Sequence, residues 1–153
     1  KADVIVGSTV TPNSLAMVDV VADAEVPMIS MAASGRIVDP ANPRTRWVFK
    51  TPQSDTLMAD AIAVSMKANG VRTMGYIGFA DAYGDSWLAE MRNSLKTAGI
   101  EIVATEKYNR NDTSVTGQVL KLVASRLAES SGGGSDSSER LWLSRLLLAG
   151  PLE

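Results

Sequence analysis

The sequence contains no cysteine and no histidine among its 153 residues. Without cysteine there is no disulfide framework, no thiolate nucleophile and no cysteine-ligated zinc or iron–sulfur site. Without histidine the chain lacks the usual general base near neutral pH and the commonest metal ligand. Phosphate-binding, dinucleotide-binding and nucleophile-elbow glycine motifs are also missing. We therefore expect no catalytic residue, no metal site and no cofactor.

Net charge and long apolar runs are equally scarce. The formal net charge is −2 and the pI is about 5.2, so the chain offers no basic surface for DNA, RNA or an anionic membrane. No apolar run approaches the roughly 20 residues of a membrane-spanning helix, and no signal peptide is recognisable. These features predict a soluble chain without a nucleic-acid partner, and a processed, exported protein would share them.

Short apolar segments alternate with amphipathic helical patterns along the chain. This alternation predicts an α/β fold with a doubly wound, mainly parallel sheet of the flavodoxin-like or Rossmann-like kind and right-handed crossovers. The predicted strands lie at residues 4–6, 26–31, 47–52, 74–79 and 100–105.

The helical patterns also predict helix starts and a core-facing stripe. Thr11 is a plausible N-cap of the first helix, and Asp85 or Ser86 is expected to open the helix after the fourth strand. In the second helix the apolar residues recur three and four apart, which is typical of a stripe that faces the core. That stripe comprises Leu57, Ala61, Val64 and Ala68, joined by Met58, Ile62 and Met66.

Two turns near the amino end carry groups that suit a small ligand. Ser8 and Thr9 follow the first strand and precede a helix, whose unpaired amides can bind a carboxylate or phosphate. The simpler interpretation, which the residues alone favour, is that these hydroxyls only cap the helix. The turn 32–34, Ala32-Ala33-Ser34, would let a ligand approach the backbone, or would merely permit a tight turn.

The fourth predicted strand is followed by a third polar turn, which contains Tyr83. Open α/β sheets place ligands at the carboxyl ends of their strands, so Tyr83 is a candidate ligand-binding side chain. Asp81, Asp85 and Asp112 are carboxylates that suit magnesium, which would favour an α/β enzyme instead. Each of the three is explained more simply as a turn or cap residue.

The composition changes after residue 126. Residues 127–139 are rich in serine and glycine and predict a flexible linker. Residues 140–153 predict a short apolar helix ended by Gly150-Pro151. Leu143, Leu146 and Leu147 formally match the Leu-x-x-Leu-Leu peptide that receptor grooves bind, but leucine-rich helices produce this match freely. Docking onto the fold itself, or a non-native extension, explains the segment better.

Four segments resemble one protein family in their order and spacing. They are Val-Ile-Val-Gly-Ser-Thr at 4–9 with Thr11-Pro12, Val-Pro-Met-Ile-Ser at 26–30, Trp-Val-Phe-Lys-Thr-Pro at 47–52, and Tyr-Ile-Gly-Phe at 76–79 with Tyr-Gly-Asp at 83–85. Residues 1–126 thereby resemble periplasmic solute-binding proteins of the branched-chain amino acid class, type I and Leu/Ile/Val-binding-like. The resemblance implies a non-catalytic, periplasmic receptor of an ABC importer that binds a small amino acid or related carboxylate and meets a membrane permease.

The resemblance also implies a division into two lobes that close about a hinge. Residues 1–50 would belong to the first lobe and residues 51–126 to the second, as a fragment truncated at both ends. Ser8, Thr9, Ala32, Ala33 and Ser34 would bind the carboxylate and ammonium of the ligand, and Tyr83 would cover it. Two further expectations remain open for such a fragment: self-association through unpaired sheet edges, and a scaffold role without ligand binding.

Overall fold

The computed structural model describes residues 2–130, with side chains to residue 125. Strands and helices alternate, which confirms the predicted α/β class. The elements are β1 (Ile5–Val6), α1 (Thr11–Asp23), β2 (Met28–Ser30), β3 (Val48–Lys50), α2 (Asp55–Ala68), β4 (Thr73–Phe79), α3 (Ala82–Ala98), β5 (Glu101–Tyr108) and α4 (Thr116–Ser130). Two 3-10 turns, Gly35–Val38 and Pro43–Trp47, connect β2 to β3.

The strands form two sheets, and every strand pair is parallel. The first sheet has the order β1-β2-β3, with Met28 opposite both Ile5 and Val48. The second sheet pairs β4 with β5, from Thr73 opposite Glu101 at one end to Phe79 opposite Tyr108 at the other. Because the strands of each sheet run in one direction, the turns that follow them gather at one sheet edge.

Each sheet has its own apolar core. In the first core the α1 side chains Val18 and Val21 pack with Met28, Ile37 and Val48. The second core lies between α2 and α3 and includes the start of β5; its buried members are Ala59, Ala63, Met91, Leu95 and Ile100. α2 connects the first sheet to the second, α3 connects β4 to β5, and these two helices pack on each other.

The predicted core stripe of α2 is wrong apart from Met66, which is partly buried and packs against the second core. Leu57 and Val64 are 61% and 69% exposed, and the buried apolar residues of this helix are Ala59 and Ala63. The reason is that α2 packs on another helix, α3, and small side chains at the contact let the two helices approach closely. Periodicity identified the helix correctly but selected the larger side chains as its buried face.

Two predicted helix starts are also corrected. Val10 is the N-cap of α1, and Thr11 is instead its first residue, with a buried side chain. Asp81 caps α3, so that helix begins before Asp85 and Ser86. Near the carboxyl end, α4 runs to Ser130 and includes the start of the segment predicted as a linker. The rest of that segment and the predicted helix at 140–153 lie outside the described residues.

Within the described part of the chain, no helix has the length and apolar character needed to cross a membrane.

Candidate functional site

The turns that follow β1 and β2 lie side by side at the edge of the first sheet. The amide of Met31 donates to the carbonyl of Ser8 at 3.0 Å, and the amide of Gly7 donates to the carbonyl of Ile29 at 2.9 Å. These bonds continue the parallel pairing past the ends of both strands. The structure therefore brings the predicted site residues Ser8 and Ala32 onto neighbouring turns.

A chain of serine hydroxyls fixes this junction. Ser14 Oγ lies 3.1 Å from Ser8 Oγ and 2.8 Å from Ser30 Oγ, and Ser30 Oγ accepts a hydrogen bond from the amide of Ala32 at 3.1 Å. Ser14 and Ser30 are fully buried. A buried hydroxyl needs a hydrogen-bond partner, and these serine hydroxyls serve as partners for one another. The junction is consequently held by neutral groups.

The N-terminus of α1 opens beside these hydroxyls and has no side-chain cap. Its N-cap is Val10, and no side chain accepts a hydrogen bond from the first amides of the helix. Among the described residues, the buried hydroxyl of Thr11 also finds no partner. Thr9 is exposed at the same turn. Uncapped amides at a helix start carry partial positive charge, so this position suits a carboxylate or another small anion.

Side chains from β3 and α3 fix the turn after β2. Ser34 is fully buried, its Oγ accepts from the amide of Arg36 at 3.3 Å, and it lies 2.7 Å from Ser86 Oγ on α3. Lys50 Nζ donates to the carbonyl of Ala33 at 3.0 Å. Burial lowers the pKa of Lys50, and the charge of Asp55 opposes this shift. The turn thus has fixed hydrogen-bond partners in β3, α2 and α3 before any ligand is considered.

Tyr83 lies on the first turn of α3 and forms one wall of an aromatic cleft. Its ring is 6.3 Å from the ring of Phe79 and 6.5 Å from that of Trp87, and Phe79 also contacts Tyr108 at 4.8 Å. The cleft has a volume of about 310 Å³. Within the described residues no hydrogen bond joins Tyr83 to the turns of the first sheet; its amide donates to Asp81.

The N-terminus of α3, unlike that of α1, is capped by a carboxylate. Asp81 Oδ1 accepts from the amides of Tyr83 and Gly84 at 2.9 and 3.1 Å, and its Oδ2 accepts from Arg110 Nε at 2.7 Å. Burial alone would raise the pKa of Asp81, but these amides and the guanidinium outweigh it and hold the pKa below its ordinary value. This helix start is already occupied by an anion.

Tyr76 anchors the same junction from β4. Its hydroxyl donates to the carbonyl of Gly84 at 2.9 Å, and burial, followed by the nearby Tyr83 and Asp85, raises the pKa of the phenol. The group therefore remains a protonated donor at neutral pH. Gly84 itself allows the close approach, because a Cβ added there would overlap the carbonyl of Phe79.

Several residues of the site were not found from the sequence. Ser14, Ser30, Lys50 and Asp55 had been given no site role, and Ser86 had been treated only as a helix cap. Their roles depend on contacts between residues far apart in the sequence, which no local pattern reports. The available signal was polarity at positions that helical or strand periodicity would bury, such as Ser14 one turn into α1.

The described residues also contain a depression away from these turns. It has a volume of about 450 Å³ and lies at the opposite end of α3, lined by residues such as Lys96 and Glu101. It is remote from both turns and from Tyr83. Among the side chains of residues 2–125, no three acidic groups lie close enough together to hold a metal ion.

The chain matches a known protein family over most of its length. A family model described as "Periplasmic binding protein" matches residues 1–128. An extracellular ligand-binding receptor from Rhodopseudomonas palustris HaA2 is 41% identical, with a TM-score of 0.78 over 82% of this chain. The match covers 35% of that receptor, so the chain spans only about a third of its length. No curated protein sequence matches the chain significantly.

More distant solved structures share the fold. A solute-binding protein of an R. palustris ABC transporter, in complex with benzoate, is 18% identical, with a TM-score of 0.72 over 82% of this chain and 34% of that one. An ABC transporter substrate-binding protein from Desulfitobacterium hafniense, in complex with Leu, is 21% identical, with a TM-score of 0.64 over 82% of this chain and 36% of that one.

Proposed function

We propose that this chain, which belongs to the family of periplasmic binding proteins, is the ligand-binding part of a solute receptor of an ABC importer. The receptor is non-catalytic and periplasmic, needs no cofactor, and delivers its solute to a membrane permease. Its solute is a small carboxylate, either an amino acid or a related acid.

The uncapped start of α1 is the observation that carries this proposal. Its amides have no side-chain acceptor, Thr9 is exposed on the preceding turn, and the buried hydroxyl of Thr11 has no partner among the described residues. A carboxylate would accept hydrogen bonds from these groups and would gain from the helix dipole. Neutral donors hold an anion without a fully charged partner, whose own desolvation would be costly.

The other contacts follow from the neighbouring turn and from α3. Ala33 is partly exposed at the edge of the same sheet, and its small side chain would let a ligand approach. Ala32 is only 1% exposed, packs in the first core and donates its amide to Ser30, so it supports this turn from inside the fold. Tyr83 presents a ring that can cover an apolar ligand body. We propose that residues 1–50 and 51–126 belong to two lobes, in keeping with their separate sheets.

The experiment is a thermal unfolding scan of the chain with millimolar leucine, isoleucine, valine, alanine and benzoate. A ligand at about a hundred times its dissociation constant should add roughly 2.7 kcal/mol, a shift of several degrees for a domain of this size. Replacing Tyr83 with Ala should abolish the shift. A cooperative transition that no acid moves would contradict the proposal for this chain.

Thr9 offers a cleaner variant with a matched control. Its side chain is exposed, so Thr9→Val removes a hydroxyl and keeps the shape without disturbing the fold. Thr56→Val makes the same change at an exposed position on α2. We expect Thr9→Val to weaken carboxylate binding several-fold and Thr56→Val to leave it unchanged. Equal affinity in both variants would exclude Thr9 from the site.

A further inference from the structure

Three buried polar side chains meet between the two sheets. Ser34 follows β2, Asp55 is the first residue of α2, and Ser86 lies in α3; all three are almost inaccessible. Ser34 Oγ is 2.7 Å from Ser86 Oγ, and Ser86 Oγ donates to Asp55 Oδ2 at 2.5 Å. The cluster therefore joins the first sheet to both helices of the second.

The direction of these hydrogen bonds is determined by the number of hydrogens. A serine hydroxyl has one hydrogen, and Ser86 gives its hydrogen to the carboxylate of Asp55. The hydroxyl of Ser34 must then be the donor to Ser86. Ser34 also accepts from the amide of Arg36. In this arrangement the Ser34 hydroxyl is committed to the cluster, which explains why a residue expected at the ligand is buried.

The second oxygen of Asp55 acts on the same turn. Asp55 Oδ1 accepts from the amide of Gly35 at 2.9 Å, and a Cβ added at Gly35 would lie 3.2 Å from that oxygen. One buried carboxylate thus holds both the backbone of the turn and the α3 hydroxyl. Hydrogen bonds to a charged group are stronger than neutral ones, and a buried charge that loses a partner is costly.

We infer that Asp55 and Ser86 are positioning residues that couple the turn at 32–35 to the start of α3. Ser86 lies one helical turn after Tyr83, so a displacement of this part of α3 moves both side chains. The ligand contacts of the first sheet and the ring of Tyr83 would then form together. This functional meaning rests on the proposed function, whereas the coupling itself does not.

The chain contains a matched control for this cluster. Ser94 Oγ donates to Asp60 Oδ1 at 2.6 Å, which is again a serine of α3 bonded to an aspartate of α2. Ser94 is buried like Ser86, but its pair does not touch the turn. Ser94→Ala therefore removes a serine–aspartate hydrogen bond between the same helices, with an exposed acceptor in place of the buried Asp55, and leaves the coupling intact.

The test is amide hydrogen exchange of the full chain, followed by NMR without ligand. In Ser86→Ala, exchange at Gly35 should accelerate about tenfold or more relative to Ile29 in β2, as expected for loss of one hydrogen bond to a charged group. In Ser94→Ala, Gly35 and Ile29 should change by the same factor. An identical exchange pattern in the two variants would overturn the inference.

A second variant, Ser34→Ala, removes the hydroxyl that the turn after β2 contributes to the cluster. Ser34→Ala leaves the Ser86–Asp55 bond in place and remains useful if Ser86→Ala does not fold. It should accelerate exchange at Tyr83 and Gly84, although the change lies on the first sheet and those amides lie on α3. Unchanged exchange at Tyr83 would mean that the two elements are not coupled.

A binding arm separates this inference from the proposed function. With benzoate or leucine, whichever stabilises the unmodified chain, Ser86→Ala should weaken binding about tenfold and Ser94→Ala should not. Equal weakening in both variants would overturn the positioning role. If neither acid stabilises the unmodified chain, the proposed function fails for this chain, and the exchange measurements still decide the coupling.

Discussion

The starts of α1 and α3 are built in opposite ways, although each follows the carboxyl end of a parallel strand. At α3 the carboxylate of Asp81 accepts two backbone amides and a bond from Arg110. At α1 the cap is Val10, and the neighbouring polar groups are hydroxyls. A helix start that holds its own carboxylate has two of its first amides already bound, whereas an uncapped start leaves them for another anion.

We propose that this difference gives the two halves of the site separate tasks. The start of α1 would bind the charged end of a carboxylate solute, and α3 would contribute the ring of Tyr83. The amides of Tyr83 and Gly84 and the guanidinium of Arg110 are already bound to Asp81, so the ligand's apolar body suits that side better than its charged end. Variants at both helix starts test this difference.

Gly84→Ala should break the capped junction. An added Cβ would overlap the carbonyl of Phe79, and the nearest atoms all belong to the backbone of Phe79, which has no flexible side-chain end to move aside. We expect a loss of about 3 kcal/mol of unfolding free energy, since overpacking of a tight contact typically costs 1–3 and at times more. Urea unfolding measures this loss of unfolding free energy.

The control for this variant is Gly117→Ala on α4, where an added Cβ meets nothing within 4 Å. That change should leave stability unaltered or raise it by roughly 0.5 kcal/mol, because alanine is the better helix former. Similar destabilisation by both changes would mean that the close contact at Gly84 is not the cause.

Ser14→Ala should damage the neutral junction at α1. The hydroxyl lies between Ser8 and Ser30 in a fully buried position, and its removal leaves buried polar atoms short of a partner. The expected cost is about 2 kcal/mol in urea unfolding. Ser65→Ala removes an exposed hydroxyl from α2 and should alter stability by less than about 0.5 kcal/mol. If Ser14→Ala left the free energy of unfolding unchanged, the serine hydroxyls would not be what holds the two turns together.

Asp81→Asn tests the charge of the α3 cap. The amide oxygen can still cap the helix, but the charge that favours the helix dipole and Arg110 is lost, at a cost of about 1 kcal/mol near neutral pH. Because the pKa of Asp81 is lowered in the folded chain, its ionised form adds stability above the ordinary value of 3.8. That contribution disappears as the pH falls through the lowered value.

Urea unfolding from about pH 7 down to about pH 3 follows this effect. The unmodified chain should lose its advantage over Asp81→Asn as the solution is acidified. A difference that stays constant across this range would assign the effect to shape and not to charge.

Leu57→Gln should have the smallest effect on stability, within about 0.5 kcal/mol, because the side chain is mostly exposed. We propose that exposed apolar groups on α2 and on the first sheet, such as Val64, Val6 and Phe49, favour association between copies. Light scattering at high concentration should then show less association in Leu57→Gln than in the unmodified chain. A monomer in both samples would remove the proposal of self-association.

Local patterns in the sequence were enough to predict the order of strands and helices and the parallel class. They placed Ser8 and Ala32 at strand ends, and the structure puts these two residues on adjacent turns. Strand periodicity and turn residues are local properties, so a single sequence reports them. Whether the expected site residues bind a ligand stays a prediction.

Contacts between distant residues could not be predicted in the same way. The buried face of α2 depends on its packing against α3, so periodicity chose Leu57 where packing buries Ala59. In the cluster around Asp55, Ser86 lies 31 positions from Asp55 and 52 positions from Ser34 in the sequence. Asp81 is the exception, because an aspartate just before a helical pattern is a local capping signal. The simpler interpretation of Asp81 as a turn or cap residue is confirmed, since Asp81 is the N-cap of α3.

An NMR titration of the chain with benzoate and with leucine, followed at the backbone amides, tests the proposed carboxylate site at α1. If the carboxylate binds at the uncapped start of α1, the amides of Thr9, Thr11 and Asn13 should show saturable shifts with at least one of the two acids. Unchanged shifts at these three amides, at millimolar concentrations of both acids, would mean that the carboxylate site is not at α1.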